Sequence, residues 1–151
     1  MDAQLKPPSG KIEGSRHLYP VRVFFEDTDL SGIAYHANYL KWCERARSDI
    51  LRLLGIDQRA AFEGGEGVYA VSEANIKWRR PAKMDDVLTV ETTCSAVRAA
   101  SAHMHQTIRR GEETLAEVDI VAAFLSPDGR PKRQPAEWRE AFDTFVTKDP
   151  E

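Results

Sequence analysis

The chain has 151 residues, 42% apolar and 30% charged, which suits one globular domain with a core of its own. A net charge of -3 and a sequence pI near 5.8 supply no basic field of the kind a nucleic-acid binder presents, although a few local Lys and Arg could still hold a small anion. No apolar run is long enough to span a membrane, and the two cysteines, Cys43 and Cys94, form no CxxC pattern of a zinc site or disulfide framework.

Residues 1–17, "MDAQLKPPSGKIEGSRH", mix Pro, Gly and charge without an apolar segment. They read as a flexible tail rather than a secretory signal, and the cytoplasm is the expected location. A single domain is expected over 18–146, with a short tail at 147–151. "YPVRVFFE" (19–26) alternates and is rich in β-branched and aromatic residues, so it reads as the first strand. From Asn38 the period changes: Tyr39, Cys43, Ala46, Ile50 and Leu53 fall on one helical face, widened by Leu40, Trp42 and Leu54. Lys41, Glu44, Arg45, Arg47, Asp49 and Arg52 fall largely elsewhere. Asn38 is the expected N-cap and Gly55 the residue just past the C-cap, for a helix of about 17 residues and ~25 Å.

After the Gly-rich "EGGEG" (63–67), strands are expected over "VYAVSEANIKW" (68–78), "VLTVETTCSAV" (87–97), "SAHMHQTIR" (101–109) and "ETLAEVDIVAAFLS" (113–126). "RRGE" reads as a hairpin around Gly111, and "SPDGRP" as the turn that ends the sheet. A short amphipathic helix near 136–146 closes the chain. The pattern predicts an α+β layer: one long helix against a five-stranded, mostly antiparallel sheet, the last four strands in a meander. The last strand is apolar on both faces over "IVAAFL", which predicts a homo-oligomer.

The chemistry-bearing stretch is "FFEDTDLSGIAYHANY" (24–39). Glu26, Asp27 and Asp29 crowd three carboxylates at a strand end, and like charges so close cost energy unless something uses or solvates them. The loop then delivers Gly32, Tyr35 and His36 to a helix N-terminus, where unpaired backbone N–H groups favour developing negative charge. A carbonyl polarised there could be attacked by the carboxylate, or by a water that the carboxylate activates, which suits acyl transfer to water. The rival reading is ordinary turn chemistry with a structural histidine. His103 and His105 form an HxH without further spaced ligands, so no metal is expected. Ser31 lacks a GxSxG context, which leaves a serine triad weakly supported. The basic groups "KWRRPAK" (77–83), Arg98 and "RPKR" (130–133) are solvated surface or the seat of an anionic ligand tail, such as the phosphates of a nucleotide-bearing thiol.

"RVFFEDTDLSGIAYHANYLKWCERAR" resembles the signature of the Tol–Pal-associated acyl-CoA thioesterases, relatives of 4-hydroxybenzoyl-CoA thioesterase. The likeness is specific over roughly 20–55 and weaker through "WRRPAKMDD", Arg98, Ser101 and "SPDGRPKR". It implies the hot-dog fold, a dimer or tetramer with sites at the dimer interface, no cofactor, and an acyl-CoA substrate. An acyl carrier protein is a further partner to consider. The family's catalytic aspartate falls on Asp29, and the histidine of its "YHANY" on His36, whose backbone N–H matches the thioester-polarising donor. Gly32 and Tyr35 then face substrate, and Arg98, Lys132 and Arg133 are assigned to the CoA end. One departure is Phe25, where the family usually has tyrosine. The alternatives carried beside this reading are an enoyl-CoA hydratase on the same fold and a non-catalytic acyl-binding or acyl-carrier-protein-binding module.

Overall fold

A computed structural model describes residues 4–147. The N-terminal segment is not a loose tail throughout: β1 (Lys11–Glu13) turns at Gly14, whose φ of 63° is left-handed, and pairs antiparallel with β2 (Arg16–Arg22). The anchor is a carboxylate on the long helix. Asp49, itself buried, accepts hydrogen bonds from the Ser9 hydroxyl at 2.9 Å, the Gly10 N–H at 2.9 Å and the fully buried His17 Nε2 at 2.7 Å. Composition misread this stretch because its docking is polar and its strand is three residues long. Of the expected tail over 147–151, Thr147 donates its N–H to the Cys94 carbonyl at 2.8 Å, and 148–151 lie outside the described residues.

The predicted first strand ends early. β2 stops at Arg22, and Phe25–Asp27 form a single 3-10 turn capped by Asp27, whose Oδ2 accepts from the Phe24 N–H at 2.8 Å. Helix α1 (Asn38–Leu53) follows, with Gly55 at φ 81° just beyond its end, as the pattern predicts. Asn38 is not the cap, because Ala37 occupies that position; the Asn38 side chain instead donates to the Asp27 carbonyl at 2.7 Å. Leu53, expected on the apolar face, is largely exposed. A short helix, α2 (Gln58–Glu63), capped by the Asp57 side chain, precedes the Gly-rich loop.

The remaining strands are β3 (Val68–Trp78), β4 (Val87–Val97), β5 (Ser101–Arg110) and β6 (Glu113–Leu125), and α3 (Ala136–Asp143) closes the domain. The sheet has six strands rather than five, in the order β1-β2-β4-β5-β6-β3, all antiparallel. Only β4, β5 and β6 form the expected meander. β3 pairs with β6 at the far edge, so the 79–86 connection crosses back over two strands. Local patterning carries no information on that nonlocal pairing.

The sheet grips α1: Tyr39, Trp42, Cys43 and Ala46 are buried with Val90, Ile108, Val118 and Ile120, and Ile50 is buried in a second cluster with Cys94, Met104, Phe142 and Phe145. At roughly 25 cal/mol per Å² of apolar surface removed from water, each such large side chain contributes about 1.5–3 kcal/mol. The helix is thereby held rigidly, and its N-terminus points at the loop that carries Asp29.

Candidate active site

The loop from Thr28 to Ala34 closes on itself through a Thr28–Ala34 bridge, an Asp29 N–H to Ile33 carbonyl bond of 3.0 Å and a Gly32 N–H to Asp29 carbonyl bond of 3.1 Å. Gly32 sits at φ 86°, a conformation that a β-carbon disfavours. The crossing connection braces the loop from below: Ala34 N–H donates to the Ala82 carbonyl at 2.8 Å, Ala82 N–H donates to the Tyr39 hydroxyl at 2.9 Å, and Ile33 bridges Lys83.

This frame presents Asp29 to solvent with its carboxylate half-used. Oδ1 accepts from the Ser31 N–H at 2.8 Å and from the Ser31 hydroxyl; Oδ2 accepts from no described residue. The Ser31 hydroxyl, then the Ser31 N–H, hold the carboxyl below its ordinary value of 3.8, and the nearby His36 adds to the effect. Asp29 is therefore an ionised carboxylate at neutral pH with one oxygen free. The crowding of acids has a structural explanation for one member: Asp27 caps the 3-10 turn, and its carbonyl holds both the Tyr35 N–H and the Asn38 side chain.

His36 is exposed at the entry to α1. Its ring lies 4.4 Å from that of Tyr35 and 5.7 Å, edge-on, from that of Trp78, whose Nε1 donates to the His36 carbonyl at 3.2 Å. Ala37 at the N-cap offers no side-chain acceptor, and the N–H groups of His36 and Ala37 bond to no described group. They are free donors at the positive end of a 16-residue helix. Trp78 was not among the residues singled out from sequence; an aromatic at the very end of a strand, beside a charged run, was the available signal.

The basic residues gather elsewhere. Gln134 ties the Arg98 backbone to the 130s segment by donating to the Arg98 carbonyl at 2.8 Å, and Lys132 N–H bonds the Phe124 carbonyl at 2.9 Å, so Arg98 and the segment carrying Lys132 and Arg133 lie in one region beside the start of β3. Lys132 is already engaged, donating to the Glu66 carbonyl at 2.6 Å, with the Glu66 carboxylate 3.3 Å away. Arg98 and Arg133 are exposed and form no ion pair among the described residues. Asp29 and His36 lie by the other end of β3, near Trp78. Eleven residues of strand separate the two groups within one chain, about 33 Å at the usual rise.

Other nucleophiles are quiet. Burial pushes the Cys43 thiol up to about 12 and the Cys94 thiol up to about 11, so neither is a thiolate at neutral pH. His105 bonds Asp119 at 2.8 Å on the outer sheet face, and no cluster among the described residues suits a metal.

A long helix gripped by a curled antiparallel sheet defines the hot-dog fold. The chain belongs to the thioesterase superfamily, whose family model matches residues 31–117. It is 36% identical over 125 residues to acyl-CoA thioesterase YbgC of Haemophilus influenzae, covering 82% of this chain and 92% of that protein. A probable thioesterase from Bartonella henselae superposes with a TM-score of 0.75 at 36% identity, over 80% of this chain and 99% of its own. The 1,4-dihydroxy-2-naphthoyl-CoA thioesterase of Synechocystis, at 22% identity and a TM-score of 0.79 over 85% of this chain and 96% of its own, shares the fold.

Proposed function

We propose that this acyl-CoA thioesterase uses Asp29 as its catalytic carboxylate, in a site completed by a second copy of the chain. The observation that carries the reading is the Asp29 loop itself, with its free Oδ2 and the unpaired N–H of His36 at the α1 N-terminus. The thioester carbonyl accepts from that N–H, which stabilises the negative charge that develops on its oxygen. Asp29 either attacks the carbonyl carbon, expelling CoA thiolate and leaving an anhydride that water opens, or takes a proton from the attacking water. Both routes consume one water and release the free acid and CoA. The exposed His36 ring, beside Tyr35 and Trp78, positions substrate or water, and Gly32 lets the turn approach the thioester closely.

The second copy follows from β3. This edge strand is bonded only to β6, and Val71 to Asn75 are exposed along it. A long unpaired edge invites pairing with another chain. Two copies joined antiparallel along β3 about a two-fold axis bring the Trp78 end of one beside the Val68 end of the other. The Asp29 loop of one copy then meets the Arg98–Lys132–Arg133 cluster of its partner, where CoA phosphates find cations. A cytoplasmic setting, where acyl-CoA is held, goes with this reading.

Complementation tests it. Asp29→Asn and Arg98→Glu/Arg133→Glu are each weak alone. Co-expressed and mixed, they form heterodimers in which one of the two sites has both halves intact, so activity returns. No return in a verified mixed oligomer, or full wild-type activity in a strictly monomeric protein by light scattering, overturns the composite site. Thiol release across a panel of aliphatic and aromatic acyl-CoAs measures the substrate range. An acyl-acyl carrier protein in the panel shares the thioester and the pantetheine arm but lacks the adenine nucleotide.

A further inference from the structure

A cavity of about 380 Å³ lies between the second half of α1 and the inner faces of β3, β5 and β6, away from the Asp29 loop of the same chain. Its floor is apolar and buried: Leu51, Met104, Ala122 and Phe142. Into this apolar space comes one cation, Arg47. Its guanidinium is half-buried, and burial lowers its pKa from the ordinary value, yet a guanidinium remains charged at neutral pH. It forms no ion pair among the described residues; the exposed Glu44 carboxylate, three residues earlier at the rim, acts on it only from a distance and favours its charged form.

What holds Arg47 there is a buried amide. Nη1 donates to Gln106 Oε1 at 2.8 Å, while Gln106 Nε2 donates to the Cys43 carbonyl and to Thr92 Oγ1, both at 3.0 Å. Gln106 is thus fully used and its orientation fixed. The guanidinium it anchors carries five N–H donors in a planar fork, most of them left without an acceptor. A half-buried guanidinium fixed on one side by Gln106, with its remaining N–H groups free of protein acceptors beside an apolar floor, suits a ligand that is apolar along its length and anionic at its end.

We infer that this cavity receives the acyl group of the substrate and that Arg47 selects acyl groups bearing a carboxylate at the end remote from the thioester, an inference that rests on the two-copy thioesterase reading. The cavity is lined by Ala70 and Val71 of β3, the strand along which the second copy docks. The thioester, held by the catalytic loop of that copy, therefore enters from the β3 side with its acyl end directed inward. A terminal carboxylate accepts two parallel N–H bonds from the guanidinium, while the methylenes or ring between them cover Leu51, Met104 and Phe142.

The test compares thioesters that differ only in that carboxylate: adipoyl-CoA against hexanoyl-CoA, and 4-carboxybenzoyl-CoA against benzoyl-CoA. Wild-type protein is expected to favour the carboxylated member of each pair by roughly 10- to 100-fold in kcat/KM, the range of a charge-assisted hydrogen bond. Arg47→Met is expected to bring the ratio within each pair to about one, and Arg47→Lys to keep part of the preference. A wild-type ratio at or below one overturns the inference without recourse to any variant, which covers the case in which Arg47→Met does not fold. Equal loss on both members in a folded Arg47→Met overturns it too, because Arg47 is then only structural. Hydrolysis of plain acyl-CoAs without the preference leaves the thioesterase reading standing and removes this inference alone; no hydrolysis of any thioester removes both.

Discussion

Asp29→Asn isolates the charge of the proposed catalytic carboxylate. In the wild type Oδ1 carries both Ser31 hydrogen bonds and Oδ2 carries none. Asparagine keeps an oxygen at the first position and places an amide nitrogen in solvent at the second. The turn, closed by backbone bonds and by Gly32, is unaffected, and the melting temperature is expected to stay within about 2 °C of wild type. What disappears is the negative charge that attacks the thioester or draws a proton from water. Loss of general-base assistance lowers kcat by ~10²–10⁴-fold, and loss of a nucleophile by more. KM is expected to change little or to fall, since the anionic CoA ester no longer meets a carboxylate. The assay is thiol release under saturating acyl-CoA, with oligomer size checked in parallel. Glu26→Gln is the clean control, an exposed charge with no bonded partner among the described residues. Asp27→Asn is a weaker control, because Asp27 caps the 3-10 turn. A folded, oligomeric Asp29→Asn within about threefold of wild type refutes the mechanism.

Gly10→Ala probes the docked N-terminal strand: a β-carbon there would come 2.1 Å from the Leu18 carbonyl oxygen and 3.0 Å from Asp49 Oδ2. Overpacking of this kind costs about 1–3 kcal/mol, so a melting temperature lowered by roughly 3–10 °C is expected, and an unchanged one means the segment is not docked. His17 makes stability pH-dependent, because burial lowers its pKa from 6.5 against the opposing pull of Asp49. The unfolded chain takes the proton first, so this stabilisation is full above 6.5 and is lost as the pH falls through the folded-state value; melting curves from pH 7.5 to 5.5 should slope downward in the wild type and flatten in His17→Gln, and parallel slopes would exclude His17 as the cause. Phe25→Tyr is expected to leave the melting temperature unchanged, since Phe25 is 78% exposed on the 3-10 turn, and to raise kcat if the hydroxyl reaches the thioester; a clear loss of stability would place Phe25 in a dry contact.

Helix α1 and strands β4 to β6 were legible because their side-chain periods, 3.6 and 2, follow directly from burial on one face. The turn at Ser31-Gly32 was legible because glycine supplies the positive φ such a turn needs, and Gly32 sits at φ 86°. Two things were hidden for physical reasons. The first is nonlocal pairing: nothing in "VYAVSEANIKW" says that it joins β6 rather than β4, which leaves β3 at the edge of the sheet. The second is the snorkelling habit of long cations. Arg47 falls off the apolar stripe of α1 and reads as solvated surface, yet its stem carries the guanidinium back to Gln106. Polar docking by Ser9, Gly10 and His17 onto Asp49 was invisible for the same reason, because composition weighs apolar residues and the contact is made by hydrogen bonds.

On the proposed reading, Asp29 works in an assembly of two copies. In one chain its carboxylate is fully solvated, and its Ser31 bonds make it less basic than a free aspartate. A solvated, weakly basic carboxylate is a poor nucleophile and a poor base. Covering it with a second copy and with substrate removes water and raises its basicity. That step would protonate an ordinary carboxylate and silence it. The two Ser31 donors, with His36 close by, start the group low enough that desolvation can raise its reactivity while it stays ionised at neutral pH. On that reading Ser31 does not attack; its two bonds to Asp29 Oδ1 favour the ionised carboxylate.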